Sequence, residues 1–429
     1  MTSSAAGVRA LERDGSTSEP KRLLSFEFVL LSAVSFFGFC NIAVFYSFFS
    51  YLEKIGVPAE WRGFLLGLEP MAAFVLRPVA IAFLHAGNAL RALVLSLVMI
   101  AVALCSYAFT TSLAGLAALR LFHGAAFVFL VSAILTLIVH FIPKEKSGQG
   151  FGILSVATLL PYAVMPFVTE ALLPRTGDEA IIYAWISLFA LPALILTLCC
   201  GKRIRAALGG VDSAVMRRPV ANEFLLNVRR VDVLLLIGVN LLIYYCHSTV
   251  FFFMKSLALQ MGAGNVGVFF PIYTLAMIVV RVCGGAYFDK VNQLRTIEVF
   301  MALLAGFFLV FAHAASAEAF YVLAGTYGLC LGIVLPLLNS TMFRISPPRF
   351  RGVNTNLALF SMDAGFFLGP FAGGALLAGG CPPTRLLDVC AGLVCLALVL
   401  VVVLERISRR ESRDTGCADA VARGVPGEE

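Results

Sequence analysis

Twelve apolar runs, most of about 20 residues, divide this chain, and a soluble fold has no core large enough to bury them all. They lie near 25–51, 62–84, 91–111, 114–141, 148–173, 180–200, 231–255, 266–288, 294–313, 318–343, 352–379 and 383–404. Such a run, coiled as an α-helix, crosses a hydrocarbon layer about 30 Å thick. In lipid every backbone amide must find its partner within the protein, so helices follow. The charge content agrees: 32 Lys and Arg with 25 Asp and Glu make 13% of 429 residues, and mean hydropathy is +0.92. A soluble chain carries about 25%. Such an apolar chain excludes disorder, a disulfide scaffold and nucleic-acid binding, and the net charge of +7 sits in short loops where Lys and Arg act as topology signals. The first run follows Lys21 and Arg22 and is longer than the apolar core of a signal peptide, so it counts as a span. Nine of eleven cysteines fall in apolar runs, where they pack as small hydrophobes.

Most loops are short. The exception, 201–230, holds Lys202, Arg203, Arg205, Arg217, Arg218, Arg229 and Arg230. The chain therefore divides into a tail 1–24, a six-helix half 25–200, a basic linker 201–230, a second half 231–404 and a tail 405–429. Even-numbered loops carry Arg91, Lys144, Lys146, Lys290, Arg295, Arg349 and Arg351, whereas odd ones carry only Lys54, Arg62, Arg175 and Arg385. By the positive-inside rule both tails and the linker are expected in the cytoplasm, the chain sitting in a bacterial inner membrane. A gapless shift of 204 residues superposes Arg77 on Arg281, Asn88 on Asn292, Arg91 on Arg295, Gly124 on Gly328, Pro143 on Pro347, Gly148 on Gly352 and Pro166 on Pro370. These fall at matching loops and helix ends, so the halves are a parallel repeat. Parallel repeats related by an axis along the membrane normal enclose a midplane site and can rock about it.

Between the second and third helix of the second half stands Gly285-Ala-Tyr-Phe-Asp289-Lys290, followed by Arg295. The fourth helix reads Arg120-Leu-Phe-His123-Gly124, and Gly365, Gly369, Pro370, Gly373 and Gly374 complete a G-x-x-x-G-P-x-x-G-G element. From about residue 25 to 405 the chain resembles the major facilitator superfamily through these motifs. The resemblance implies an all-α membrane protein of twelve helices in two six-helix bundles. The first half departs from the loop signature, with Ile81 for its glycine and His85 for its acid, keeping Arg77, Asn88 and Arg91. In the family the glycine-proline element marks antiporters when on helix five; here it is on helix eleven, where helix packing is its expected role. Arg281, Gly285 and Asp289 share one helix face at a spacing of four, and with Arg77, His85, Arg91, Lys290 and Arg295 they are candidate gate residues. An interfacial trio without a conformational role fits the same spacing.

Glu69, Arg120 and Asp363 lie inside apolar runs, where a charge costs about 2.5–3.5 kcal/mol to insert unless it faces protein or water. A structural pair is one reading; a proton or substrate role is the other. The further expectation is that Asp363 carries a proton and alternates with Arg120 of the other half. On helix seven Asn240, Tyr244 and His247 form a polar stripe; helix one offers Asn41 and Tyr46, helix four His123, and helix ten Tyr327 and Asn339. Helices one, four, seven and ten line the cavity in the resembled family, which makes these the candidate lining; interhelical hydrogen bonding is the alternative. The five histidines show no metal-ligand spacing, and no cofactor is expected.

A secondary transporter accounts for the repeat, the paired loops and the midplane charges together. The expected activity is proton-coupled export of a small amphiphilic organic solute by a monomer in the lipid bilayer. Import of a sugar or organic acid is the alternative, and a receptor or membrane-embedded enzyme the reading from another class. No phosphate-binding G-x-x-x-x-G-K-[ST] loop is present, which excludes ATP-driven transport by this chain alone.

Overall fold

The computed structural model describes residues 23–84, 86–142, 147–208, 221–260, 266–288, 291–314, 316–347 and 350–422. Twelve membrane-length helices are found there: α1 Phe26–Lys54, α2 Ala59–Phe83, α3 Ala86–Ser106, α4 Leu113–Ile138, α5 Ser147–Thr176, α6 Glu179–Leu208, α7 Val231–Gln260, α8 Phe269–Phe288, α9 Gln293–Ala312, α10 Ala317–Ile345, α11 Arg351–Ala378 and α12 Pro383–Ala422. The architecture is the all-α, two-bundle membrane fold that the hydropathy and repeat imply, and no strand occurs among the described residues. Polar side chains start several helices: Ser25, Ser112, Asn292 and Ser316 each accept the backbone N–H three residues on, satisfying an amide with no helical partner. A short helix, Ala221–Val228, occupies the linker. The helix of α12 runs past the apolar run ending at 404, with Arg409 Nη2 donating to Glu405 Oε1 one turn back at 2.6 Å.

Burial grades the helices: the most apolar stretches of α1, α2, α4, α7 and α10 are more than half buried, that of α11 44%, those of α3, α6, α8, α9 and α12 39%, and that of α5 22%. The repeat is visible in the packing. A Cβ at Gly124 of α4 would stand 2.2 Å from the Glu69 carbonyl on α2, and one at Gly328 of α10 would stand 2.1 Å from the Tyr273 carbonyl on α8. Residues 69 and 273 are themselves 204 apart, so each half makes the same crossing with the same glycine. Between the halves, α2 packs on α11 and α5 on α8. We call the end where α1 starts and α12 finishes the tail end, and the opposite one the far end.

Candidate functional site

Proline chemistry in α2 prepares the first charged site. Pro70 has no N–H, so the Leu66 carbonyl one turn earlier loses its helical donor. Arg120 of α4 supplies one: its Nη2 donates to Leu66 O at 2.9 Å and its Nε to Leu65 O at 3.2 Å. The fully buried guanidinium also lies over the rings of Phe45 (5.1 Å) and Phe48 (4.9 Å) and stands 3.7 Å from Glu69 Oε2. Arg120 is thus held within the first half.

The expected pairing of Arg120 with Asp363 is not what the structure contains. Asp363 on α11 is bound instead by Arg77 of α2, through Nε to Oδ2 and through Nη2 to Oδ1 at 2.9 Å. Both side chains are buried, 4% and 7% exposed, and the fork joins the halves. Arg77 belongs to the membrane interior because α2 continues to Phe83, six residues beyond it. Its repeat mate, Arg281 on α8, donates from Nη1 to Ser155 Oγ on α5, again across the halves.

Two hydrogen bonds repeat in a similar way. His123 Nε2 meets Asn41 Oδ1 at 2.8 Å between α4 and α1, and His247 Nδ1 meets Tyr327 Oη at 2.9 Å between α7 and α10. His123 and Tyr327 are related by the 204-residue shift. Tyr244, His247, Tyr273, Tyr327 and Phe366 form a cluster of rings with centroids 5.6–6.4 Å apart.

Other expected residues lie apart from this cluster. Asn240 Nδ2 donates to Ala358 O (2.7 Å) and Ser361 Oγ (2.8 Å), tying α7 to α11. Asn339 and Arg91 are exposed, and Arg295, at the tail end, stands 3.8 Å from Glu405. Gly285 lies in the last turn of α8, while His85, Asp289 and Lys290 are outside the described residues. Gly365, Gly369 and Gly373 let α11 meet α7, where a Cβ would stand 2.8 Å from Leu241 O, 2.7 Å from Tyr245 O and 2.5 Å from the Phe253 ring respectively. Pro370 follows Gly369 within α11. A cavity of about 470 Å³ at the tail end, bordered by Gln293, Thr341, Arg344 and Glu405, is separate from these charges.

At the far end the halves meet in polar and aromatic contacts that include Tyr46 of the expected lining. Glu170 of α5 accepts from Tyr46 Oη of α1 at 2.5 Å and pairs with Lys255 of α7 at 3.1 Å. Phe49 meets Phe253 at 4.9 Å, Tyr46 meets Phe270 at 5.1 Å, and Gly63 and Gly374 bring the α2 and α11 backbones together. No spacing within one helix signals that contact. At the tail end Phe151 of α5 is 48% exposed and a Cβ at Gly152 would meet nothing within 4 Å, while one at Gly150 would press on Ile142 at 2.7 Å.

Residues 28–370 match the family profile of the Major Facilitator Superfamily. The chain is 24% identical over 367 residues to the staphylopine export protein of Staphylococcus aureus, covering 82% of this chain and 88% of that one. Among solved structures it is similar to the nucleoside transporter NupG, with TM-score 0.71, 14% identity, and 89% and 99% of the two chains covered. The human organic anion transporter MFSD10 superposes with TM-score 0.63 at 18% identity, over 89% of this chain and 99% of that one.

Proposed function

The chain belongs to the major facilitator superfamily, and from that premise we propose that it is a proton-coupled exporter of a small amphiphilic organic solute. Family and fold point to a membrane transporter rather than an enzyme, in an integral multi-pass protein. Export is favoured by the similarity to the staphylopine export protein over most of both chains.

The observation that carries the coupling is the buried fork between Arg77 and Asp363, which ties the two halves through one carboxylate. A proton on Asp363 removes the charge that holds Arg77, so the α2–α11 crossing loosens when the carboxyl is neutral and tightens when it is ionised. Halves 25–200 and 231–404 then rock about the linker 201–230, with the ring cluster around Tyr244 and His247 as the solute's apolar wall. The polar and aromatic contacts that join the halves at the far end fit a tail-facing state that loads solute from the side of the termini. We place that side in the cytoplasm of a bacterial inner membrane, on the Lys and Arg asymmetry, with a single chain as the transporting unit.

Purified protein in vesicles with an imposed pH gradient tests this. Wild-type protein should move protons and solute in opposite directions, and Asp363→Asn should lose gradient-driven accumulation while keeping solute exchange. Accumulation by the variant would remove Asp363 as carrier. A periplasm-active reporter fused after Arg205 should be silent; a strong signal would reverse the orientation.

A further inference from the structure

The repeat supplies an internal control for every buried charge, and one position fails to balance. Arg77 and Arg281 are equivalent, and each reaches across to the other half. Arg77 finds Asp363, but the residue that corresponds to Asp363 on α5, 204 positions earlier, is Leu159. Arg281 finds only the neutral Ser155 hydroxyl, which uses one of its five N–H groups. Its Nε is buried without a hydrogen-bond partner, and among the described residues no carboxylate pairs with it. The other cations in this region are neutralised: Arg120 by Glu69, Lys255 by Glu170. Among the described residues a single part-buried cation is thus left without an ion pair, two turns from the end of α8, the helix that also carries Tyr273 of the ring cluster.

We propose that Arg281 receives the carboxylate of the transported solute, which makes that solute a monoanionic organic acid with an apolar or aromatic body. This rests on the transporter reading above and names its substrate class. Arg77 shows the geometry: its Nε and Nη2 form the fork that grips Asp363, and Nε of Arg281 is the orphaned counterpart. One unbalanced charge matches one carboxylate; a phosphate dianion would leave an excess negative charge here. The rings of Tyr244, His247 and Phe366 then accept the body of the solute. Since Ser155 belongs to α5 and Arg281 to α8, a bound carboxylate competes with a contact between the halves and so couples binding to their movement.

Matched acids and amides test the proposal on the full-length protein in detergent, read by thermal melting and by equilibrium binding. The probes are hippurate against hippuramide and indole-3-acetate against its amide. Wild-type protein should prefer at least one acid over its amide by about tenfold or more. Arg281→Gln should abolish the preference, and Arg281→Lys should keep part of it. Without ligand, Arg281→Gln should melt no lower than wild type, because it removes an unbalanced charge. Equal binding of each acid and its amide, persistence of the preference in Arg281→Gln, or a large loss of melting temperature on that substitution would each overturn the assignment. Flux driven by a pH gradient separates the two readings: equal transport of acid and amide removes the carboxylate site but leaves the transporter. An acid preference that depends on Arg281, without gradient-driven flux of any probe, removes proton-coupled export but keeps the site.

Discussion

Arg77 and Asp363 form the kind of contact whose removal is felt twice, once as a lost bond and once as a stranded charge. Arg77→Gln leaves the carboxylate buried and unpaired, an imbalance of about 3–5 kcal/mol, so the variant should melt well below wild type. Adding Asp363→Asn should recover most of the loss, since a neutral pair strands nothing. Additive losses in the double variant, measured by thermal unfolding in detergent, would show that the residues act independently. The sequence made the membrane charges legible, because Glu69, Arg120 and Asp363 interrupt apolar runs. It could not name their partners. Helical spacing fixes which face a residue occupies but not which helix lies opposite, and so Arg77, read with the loop signature as a gate residue, turned out to be the partner of Asp363.

Among the helices, the crossings of α2 with α4 and of α8 with α10 form a natural pair for comparison. At Gly124 and Gly328 an added methyl group would press on backbone carbonyls, which cannot rotate aside as a side chain can. Gly124→Ala and Gly328→Ala should each destabilise by about 1–3 kcal/mol, and by similar amounts. Gly152→Ala, with nothing within 4 Å of the new methyl, should be neutral or gain slightly from helix propensity. Melting temperatures of the three variants decide it; an unaffected Gly124→Ala would mean that the crossing is looser than described. Matching glycines were legible as a repeat in the sequence. That each rests on the carbonyl of residue 69 or 273 was not, because the repeat aligns positions and is silent on contacts between helices.

At the scale of the whole molecule, the proposed alternation between far-end-closed and far-end-open states would hang on a few contacts between halves. Hydropathy and the repeat made the two-bundle architecture readable, whereas the seal needs the positions of α1, α5 and α7 in space. Tyr46, Glu170 and Lys255 join those three helices through a single carboxylate, so Glu170→Gln weakens a hydrogen bond and an ion pair at once. The two bonds are part-exposed, and their joint contribution is of order 1 kcal/mol. A change of that size shifts a two-state ratio about fivefold, provided the bonds exist in only one of the states. Spin labels on cysteines placed at Glu60 and Arg385, both exposed at the far end on opposite halves, can read the shift by pulsed electron resonance in a background lacking native cysteines. Glu170→Gln should increase the longer-distance population about fivefold, and Phe151→Ala, at the tail end, should leave it unchanged. If Glu170→Gln leaves the distance distribution as it is in wild type, the far end is closed by its aromatic and glycine contacts alone, and the polar triad does not set the equilibrium.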